Sequence, residues 1–297
     1  MTGENLIDGR ALAAEVLAEL APRVAALAAQ GCTPGLVFVR VGEDPASRVY
    51  VGRKEKTAAA LGLRTLTHVL PAGTSEADLL ALLARLNADP VWHGILVQAP
   101  LPPPIRPEVV FASVRPGKDV DGFHPVNVGR LMLGDPGGFQ PCTPAGICEL
   151  LRRSSISTDG AEVVILGRGN IVGKPLAAML CQKGAHANAT VTLCHSGTRN
   201  LAAHCRRADI LIAAMGVAEF VRADMVRPGA VVIDVGVNRV PDPAQPGATR
   251  LVGDVAFAAV QPLAGRITPN PGGVGPMTIA LLMQNTVRAT ELALNRG

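Results

Sequence analysis

The chain has 297 residues, enough for two domains that each bury a core, and 48% of them are hydrophobic but only 3% aromatic, so those cores are built from Ala, Val, Leu and Ile, as in parallel sheets wrapped by helices. A net charge of +4 with scattered basic residues excludes a nucleic-acid footprint, and no apolar run approaches the ~20 residues of a membrane span. Six cysteines show no CxxC pair and no Cys/His zinc spacing, and the polar start MTGENLIDGR is unlike a signal peptide, so reduced thiols in a cytoplasmic protein are expected.

In chain order, residues 11–30 carry a helical Ala/Leu period stopped by Gly31 and Pro34, and residues 36–41 form a buried strand. A turn of Gly42, Asp44 and Pro45 leads into a helix for which Ser47 is the expected cap. Tyr50, the only tyrosine, and Lys54 are four residues apart on that helix and so share a face. Together they offer a flat nitrogen-rich substrate a stacking surface and a proton-transfer group; the alternative is a solvated face carrying Arg53, Lys54 and Lys56. A strand over 63–70, a helix capped at Thr74-Ser75 and running to Asn87, and a strand over 94–97 complete a strand–helix alternation, the pattern of a parallel α/β domain.

Gln98 follows that last strand at the carboxyl edge, where open α/β sheets collect ligands, and either orients a polar group or satisfies the turn. In the loop RPGKDVDGFHP, Asp119 and Asp121 lack a histidine or third acid at metal-site spacing, so no metal is expected. One carboxylate facing an amino-pyrimidine edge is the more economical use, and His124 is expected to cap a helix. The Gly/Pro-rich residues 134–141 suggest a domain boundary, followed by a helix starting at Thr143-Pro144. This divides the chain into residues 1–139, completed by 277–297, and residues 140–276.

From residue 162 the pattern becomes Rossmann-like: a strand over 163–166, then the glycine-rich turn GRGNIVG opening a helix. Such a turn lets backbone amides approach a pyrophosphate, although GxGxxxG is one residue longer than the usual fingerprint. Strands follow over 190–194, 210–214 and 231–235. The strand ending at Cys194 has no acid to hold ribose hydroxyls; Ser196, with Arg168 or Arg199, suits the 2′-phosphate of NADP instead. The segment ITPNPGGVGP reads as a fixed backbone wall, and the final helix, residues 277–295, is expected to pack on the first domain.

The motifs PASRVYVGRKEK, GILVQAPLP, PGKDVDGFHP, PCTPAGICELL, GRGNIVGKP, ATVTLCHSGT, VIDVGVN, GDVAF and PGGVGPMT stand in this order along nearly the whole chain. Together they resemble the bifunctional methylenetetrahydrofolate dehydrogenase/methenyltetrahydrofolate cyclohydrolase family. That resemblance implies a homodimer of two-domain α/β subunits, folate in the cleft between domains, and substrates that carry polyglutamate tails. It implies that Lys54 is the catalytic lysine, that Tyr50 stacks on the folate, that Gln98 positions Lys54, and that Asp121 holds the pterin end. It places Val97, Gln98, Ala99, Pro271, Gly272, Gly273, Val274 and Gly275 along the folate, and Gly167, Arg168, Gly169, Ser196 and Val237 along the nucleotide.

The chemistry agrees: hydride loss from a methylene carbon between two nitrogens needs no protein base, whereas water addition and ring opening need proton transfers. Lys54 is the expected general acid/base, its pKa lowered by desolvation and by cations such as Arg53. This chain departs from the family pattern at Gly169, usually serine; at Gly197, usually larger and often basic; at Val217, commonly lysine; and at Asn270, usually valine. The loop 182–188 is also longer. These departures bear on NADP preference and leave a cyclohydrolase with weak or lost dehydrogenase activity as the alternative. A non-catalytic folate- or nucleotide-binding protein would not need a positioned lysine. A Rossmann dehydrogenase for a small hydroxy acid would need a His/Asp or Lys/Asp pair that is not apparent.

Overall fold

The computed structural model describes residues 5–245 and 247–295, so the first four residues of the polar N-terminal stretch lie outside it. The chain forms two compact units. One comprises Ala14–Cys142 and the end of the chain from Ile279; the other comprises the start of the chain through Ala13 and Thr143–Thr278.

The first unit is built on helix α1 (Gly9–Ala29), strand β1 (Gly35–Val41), helix α2 (Pro45–Ala60), β2 (Arg64–Leu70), α3 (Glu76–Ala88), β3 (Gly94–Val97), α4 (Pro107–Ser113) and α5 (Pro125–Leu133). Its parallel sheet has the order β2-β1-β3, so β1 is central and all seven of its residues are buried. The edge strand β2 alternates in exposure except at Thr67 and His68, which are both half-buried. Leu79, Leu82, Leu83 and Leu86 of α3 recur at helical spacing and pack with Val37, Val39, Ile95 and Val97 in one core.

Three local expectations are corrected. Asp44, not Ser47, caps α2: its Oδ2 accepts the Ser47 amide at 2.7 Å, and Pro45 fills the first turn, where no N–H partner is needed. The helix α6 (Cys142–Arg153) begins before Thr143, whose hydroxyl instead meets Thr278 Oγ1 at 3.1 Å. The last helix begins earlier than residue 277, with Pro276 inside its first turn, where a missing N–H costs nothing.

The second unit continues from α6 through β4 (Glu162–Leu166), α7 (Gly173–Leu180), β5 (Thr190–Cys194), α8 (Leu201–Cys205), β6 (Ile210–Ala213) and β7 (Val231–Asp234). A hairpin of β8 (Asn238–Pro241) and β9 (Thr249–Val252), helix α9 (Phe257–Val260), the two-residue strand β10 (Arg266–Ile267) and helix α10 (Val274–Leu294) complete it; the hairpin and β10 were not anticipated. The five-stranded parallel sheet runs β10-β7-β6-β4-β5. The expected α/β class, with a Rossmann-like second part, is what the chain forms.

From Ile279 onward α10 belongs to the first unit, as expected for a returning C-terminal helix. There Arg23 of α1 pairs with Glu291 at 2.7 Å, and Asn285 donates to the carbonyls of Val120 at 2.8 Å and Gln140 at 3.1 Å.

Candidate active site

In the first unit the chain leaves β1 to one side for β2 and returns on the other as β3, which makes the carboxyl ends of β1 and β3 a topological switch point. Helix α2 follows β1 and carries Tyr50 and Lys54; Gln98 follows β3. Lys54 is 5% exposed, and its Nζ donates to Gln98 Oε1 at 3.0 Å while lying 5.2 Å from the centroid of the Tyr50 ring. Gln98 Nε2 donates to its neighbour's carbonyl, Ala99 O, at 2.6 Å, which fixes the amide so that its oxygen faces the amine. Val97 is buried beneath this pair, and Ala99 is partly exposed at the strand end.

The two aspartates of the RPGKDVDGFHP loop have separate tasks. Asp119 is a structural acceptor: Oδ1 receives the amides of Gly122 and Phe123 at 3.1 and 3.2 Å, and Oδ2 receives His124 N and Asn127 Nδ2 at 2.7 and 2.8 Å. His124 caps α5 through Nδ1, which accepts Val126 N at 3.0 Å. Asp121 is left to face Lys54. Burial pushes the Asp121 carboxyl up and the positive Lys54 pulls it back, while neighbouring Asp119 adds to the rise. Among the described residues no group of three or more His, Cys, Asp or Glu side chains could hold a metal.

Burial lowers the Lys54 pKa, and Asp121 opposes that fall. The expected contribution of Arg53 is therefore corrected: desolvation is the cause, and Arg53 acts instead on Tyr50, whose phenol burial pushes up. An amine drawn below the ordinary lysine value and hydrogen-bonded at a sheet edge is suited to giving and taking protons. Sequence reasoning missed Cys142 as a wall of this site. It is 1% exposed, its thiol donates to Val120 O at 3.3 Å, and it faces the Asp121 carboxyl. Its only sequence signal was its place in PCTPAG.

Pro271, Gly272, Gly273, Val274 and Gly275 belong to the second unit, together with the candidate nucleotide residues. There β4 is flanked by β5 on one side and β6 on the other, a second switch point. Gly167 directly follows β4 with φ of 112°, and a Cβ there would run into Ala214 O, so only glycine fits. A Cβ on Gly173, at the start of α7, would strike Gly167 O; this close cradle fits a pyrophosphate against backbone amides. Arg168, Gly169, Ser196 and Val237 are all exposed. Gly169 has open space where a side chain would stand, whereas a side chain at Gly197 would meet the His195 ring. The turn after β5 is held by His195 N donating to Thr198 Oγ1 at 2.9 Å, leaving the Ser196 hydroxyl and the Arg199 guanidinium at its surface.

Two family profiles match the chain: the catalytic domain of tetrahydrofolate dehydrogenase/cyclohydrolase over residues 7–121, and the NAD(P)-binding domain of the same family over residues 141–294. The chain is 56% identical over 288 residues to the bifunctional protein FolD of Syntrophus aciditrophicus, covering 97% of this chain and 98% of that one. Among solved structures it is similar to the bifunctional FolD enzyme of Campylobacter jejuni, with a TM-score of 0.91 and 43% identity over 97% of this chain and 99% of the other. It is also similar to the Trypanosoma brucei dehydrogenase-cyclohydrolase solved with NADP and an inhibitor, with a TM-score of 0.92 and 40% identity over 99% of both chains.

Proposed function

This chain belongs to the tetrahydrofolate dehydrogenase/cyclohydrolase family and is a bifunctional methylenetetrahydrofolate dehydrogenase and methenyltetrahydrofolate cyclohydrolase of one-carbon metabolism, and we propose how its residues divide that work. Lys54 is the acid/base of the hydrolytic step. The observation that carries this is the buried amine held by Gln98 at 3.0 Å beside Tyr50 and Asp121. The Tyr50 ring stacks on the folate, Asp121 accepts from the amino-pyrimidine end, and Val97 and Ala99 line the substrate.

When water adds to the methenyl carbon, the Lys54 amine, whose pKa burial lowers, takes a proton from it. The resulting ammonium, held by Gln98 Oε1, returns a proton to the nitrogen that leaves as the ring opens. The preceding oxidation asks less of the protein: the nitrogens flanking the methylene carbon stabilise the cation, and the chain supplies position and a dry site.

For the cofactor we propose NADP over NAD. Its chemistry when bound is to accept the hydride. Gly167 and Gly173 give the close backbone approach, and the exposed Arg168, Ser196 and Arg199 would hold the 2′-phosphate. Arg168 and Arg199 have no ion pair among the described residues, so both charges are free for an anion. The same family membership leads us to propose a cytoplasmic homodimer acting on polyglutamylated folates; light scattering tests the dimer.

The cofactor reading is tested by reduced-nucleotide formation from methylenetetrahydrofolate with NADP and NAD in parallel, with methenyl decay read in the same cuvette. The expected result is a kcat/KM at least about tenfold higher with NADP, the scale of one charge-assisted contact. Equal or better use of NAD would overturn the assignment of Ser196 and the arginines.

A further inference from the structure

The motif GDVAF places Asp254 at the centre of a buried network that neither reaction step uses. Asp254 is 0% exposed. Its Oδ2 accepts the amides of Met215 at 2.6 Å and Gly216 at 2.9 Å, just beyond β6, and its Oδ1 accepts Asn238 Nδ2 at 2.9 Å, just beyond β7. Its own amide donates to Asp234 Oδ1 at 2.9 Å. Asp234, also buried, receives Gly236 N at 3.0 Å on the same oxygen and Val255 N at 3.2 Å on the other.

Among the described residues these two carboxylates are thus held by N–H donors alone, with no cation among their hydrogen-bond partners. Burying such a pair is costly, and apolar residues of similar volume would hold a core as well. What apolar residues cannot do is accept directed bonds from two loops at once.

Those loops occupy the carboxyl edge of the sheet, where a dinucleotide lies. Beyond the clamped Met215-Gly216 stands Val217, 49% exposed, and between Gly236 and Asn238 stands Val237, 61% exposed. The clamp therefore holds two solvent-facing apolar side chains at the edge of a nucleotide-binding sheet.

We propose that Asp254 is a positioning residue of the dehydrogenase, fixing the loops after β6 and β7 so that Val217 and Val237 form a preformed seat for the nicotinamide half of the dinucleotide. The proposal rests on the NADP reading above and adds to it the residue that organises the site. Asp254 touches no reacting atom. Its effect is preorganisation, which saves the cost of ordering two loops at the moment of binding.

The test is calorimetric titration of NADP into wild type, Asp254→Ala and Asp254→Asn, with nucleotide-free hydrolysis of methenyltetrahydrofolate measured on the same preparations. Asp254→Ala takes the acceptor from three N–H donors that hold the two loops and is expected to weaken NADP binding about tenfold or more, with hydrolysis within about twofold of wild type. Asp254→Asn keeps an oxygen for Met215 and Gly216, and Asn238 can turn its amide to match, so binding should recover to within about threefold. If Asp254→Ala does not fold, Asn238→Ala removes one bond of the clamp and should still weaken NADP binding several-fold. NADP binding by Asp254→Ala, or failing that by Asn238→Ala, that equals wild type would overturn the proposal. So would hydrolysis and dehydrogenation falling in parallel, which marks a role in folding only. Wild type that binds no NADP would instead overturn the cofactor reading.

Discussion

Replacing Gln98 with methionine keeps the side-chain volume and removes the acceptor that holds Lys54. The bond is 3.0 Å long, its donor is 5% exposed, and the Gln98 amide is itself fixed on Ala99 O, so no other conformation of the pair is prepared. A hydrogen bond to a charged group contributes about 1.5–3 kcal/mol, which as transition-state stabilisation corresponds to roughly 10- to 150-fold in kcat/KM. Gln98 Oε1 also favours the protonated amine, so its loss should move the Lys54 titration further in the direction burial already drives it. The acidic limb of the pH–rate profile should accordingly shift to lower pH. The assay is the decay of methenyltetrahydrofolate absorbance without nucleotide across the pH range, with NADP affinity as the control for an intact second unit. Full hydrolytic activity with an unmoved limb would refute the claim that Gln98 positions Lys54.

Three further outcomes are expected from the second unit. Gly167→Ala should abolish NADP binding, because at φ of 112° the added methyl would collide with Ala214 O; calorimetry showing wild-type affinity would contradict this. Gly169→Ser has open space and no left-handed backbone, so it should leave Tm unchanged and tighten NADP by up to about tenfold, the worth of one hydrogen bond to a phosphate; weaker binding would count against the pyrophosphate cradle. Burial raises Asp234 from 3.8 to about 6, so the folded state takes up a proton before the unfolded state does as pH falls. Relative to Asp234→Asn, wild type should gain stability between about pH 6 and pH 4, by at most about 3 kcal/mol, and lose that gain as pH rises through 6. Denaturant melts of the two proteins at both pH values measure the difference, and a constant gap would refute it.

The parts of this fold that were legible in the sequence are those governed by local periodicity. β1 is apolar but for Arg40 because both its faces are covered, and the four-residue spacing of Tyr50 and Lys54 needs only a helix to bring them together. The cap of α2 was misassigned because Asp44 and Ser47 both suit the role, and the proline between them moves the helix start to Pro45. The hairpin β8–β9 and the two-residue β10 are too short and polar to leave a periodic signal. Long-range partners were invisible for a different reason: Cys142 meets Asp121 and Asn285 only after α10 returns, and Asp254 meets Met215 across 39 residues. Arg53 was credited with lowering Lys54 because it is adjacent in sequence, yet the charge that faces the amine comes from Asp121, 67 positions on.

Lys54 is the group on which hydrolysis most directly depends. Lys54→Met, purified and shown by calorimetry to bind NADP as wild type does, should lose about 100-fold or more of its methenyltetrahydrofolate hydrolysis, the scale of a removed general acid/base. Hydrolysis at the wild-type rate in that variant would contradict the account and move the proton-transfer step to another group.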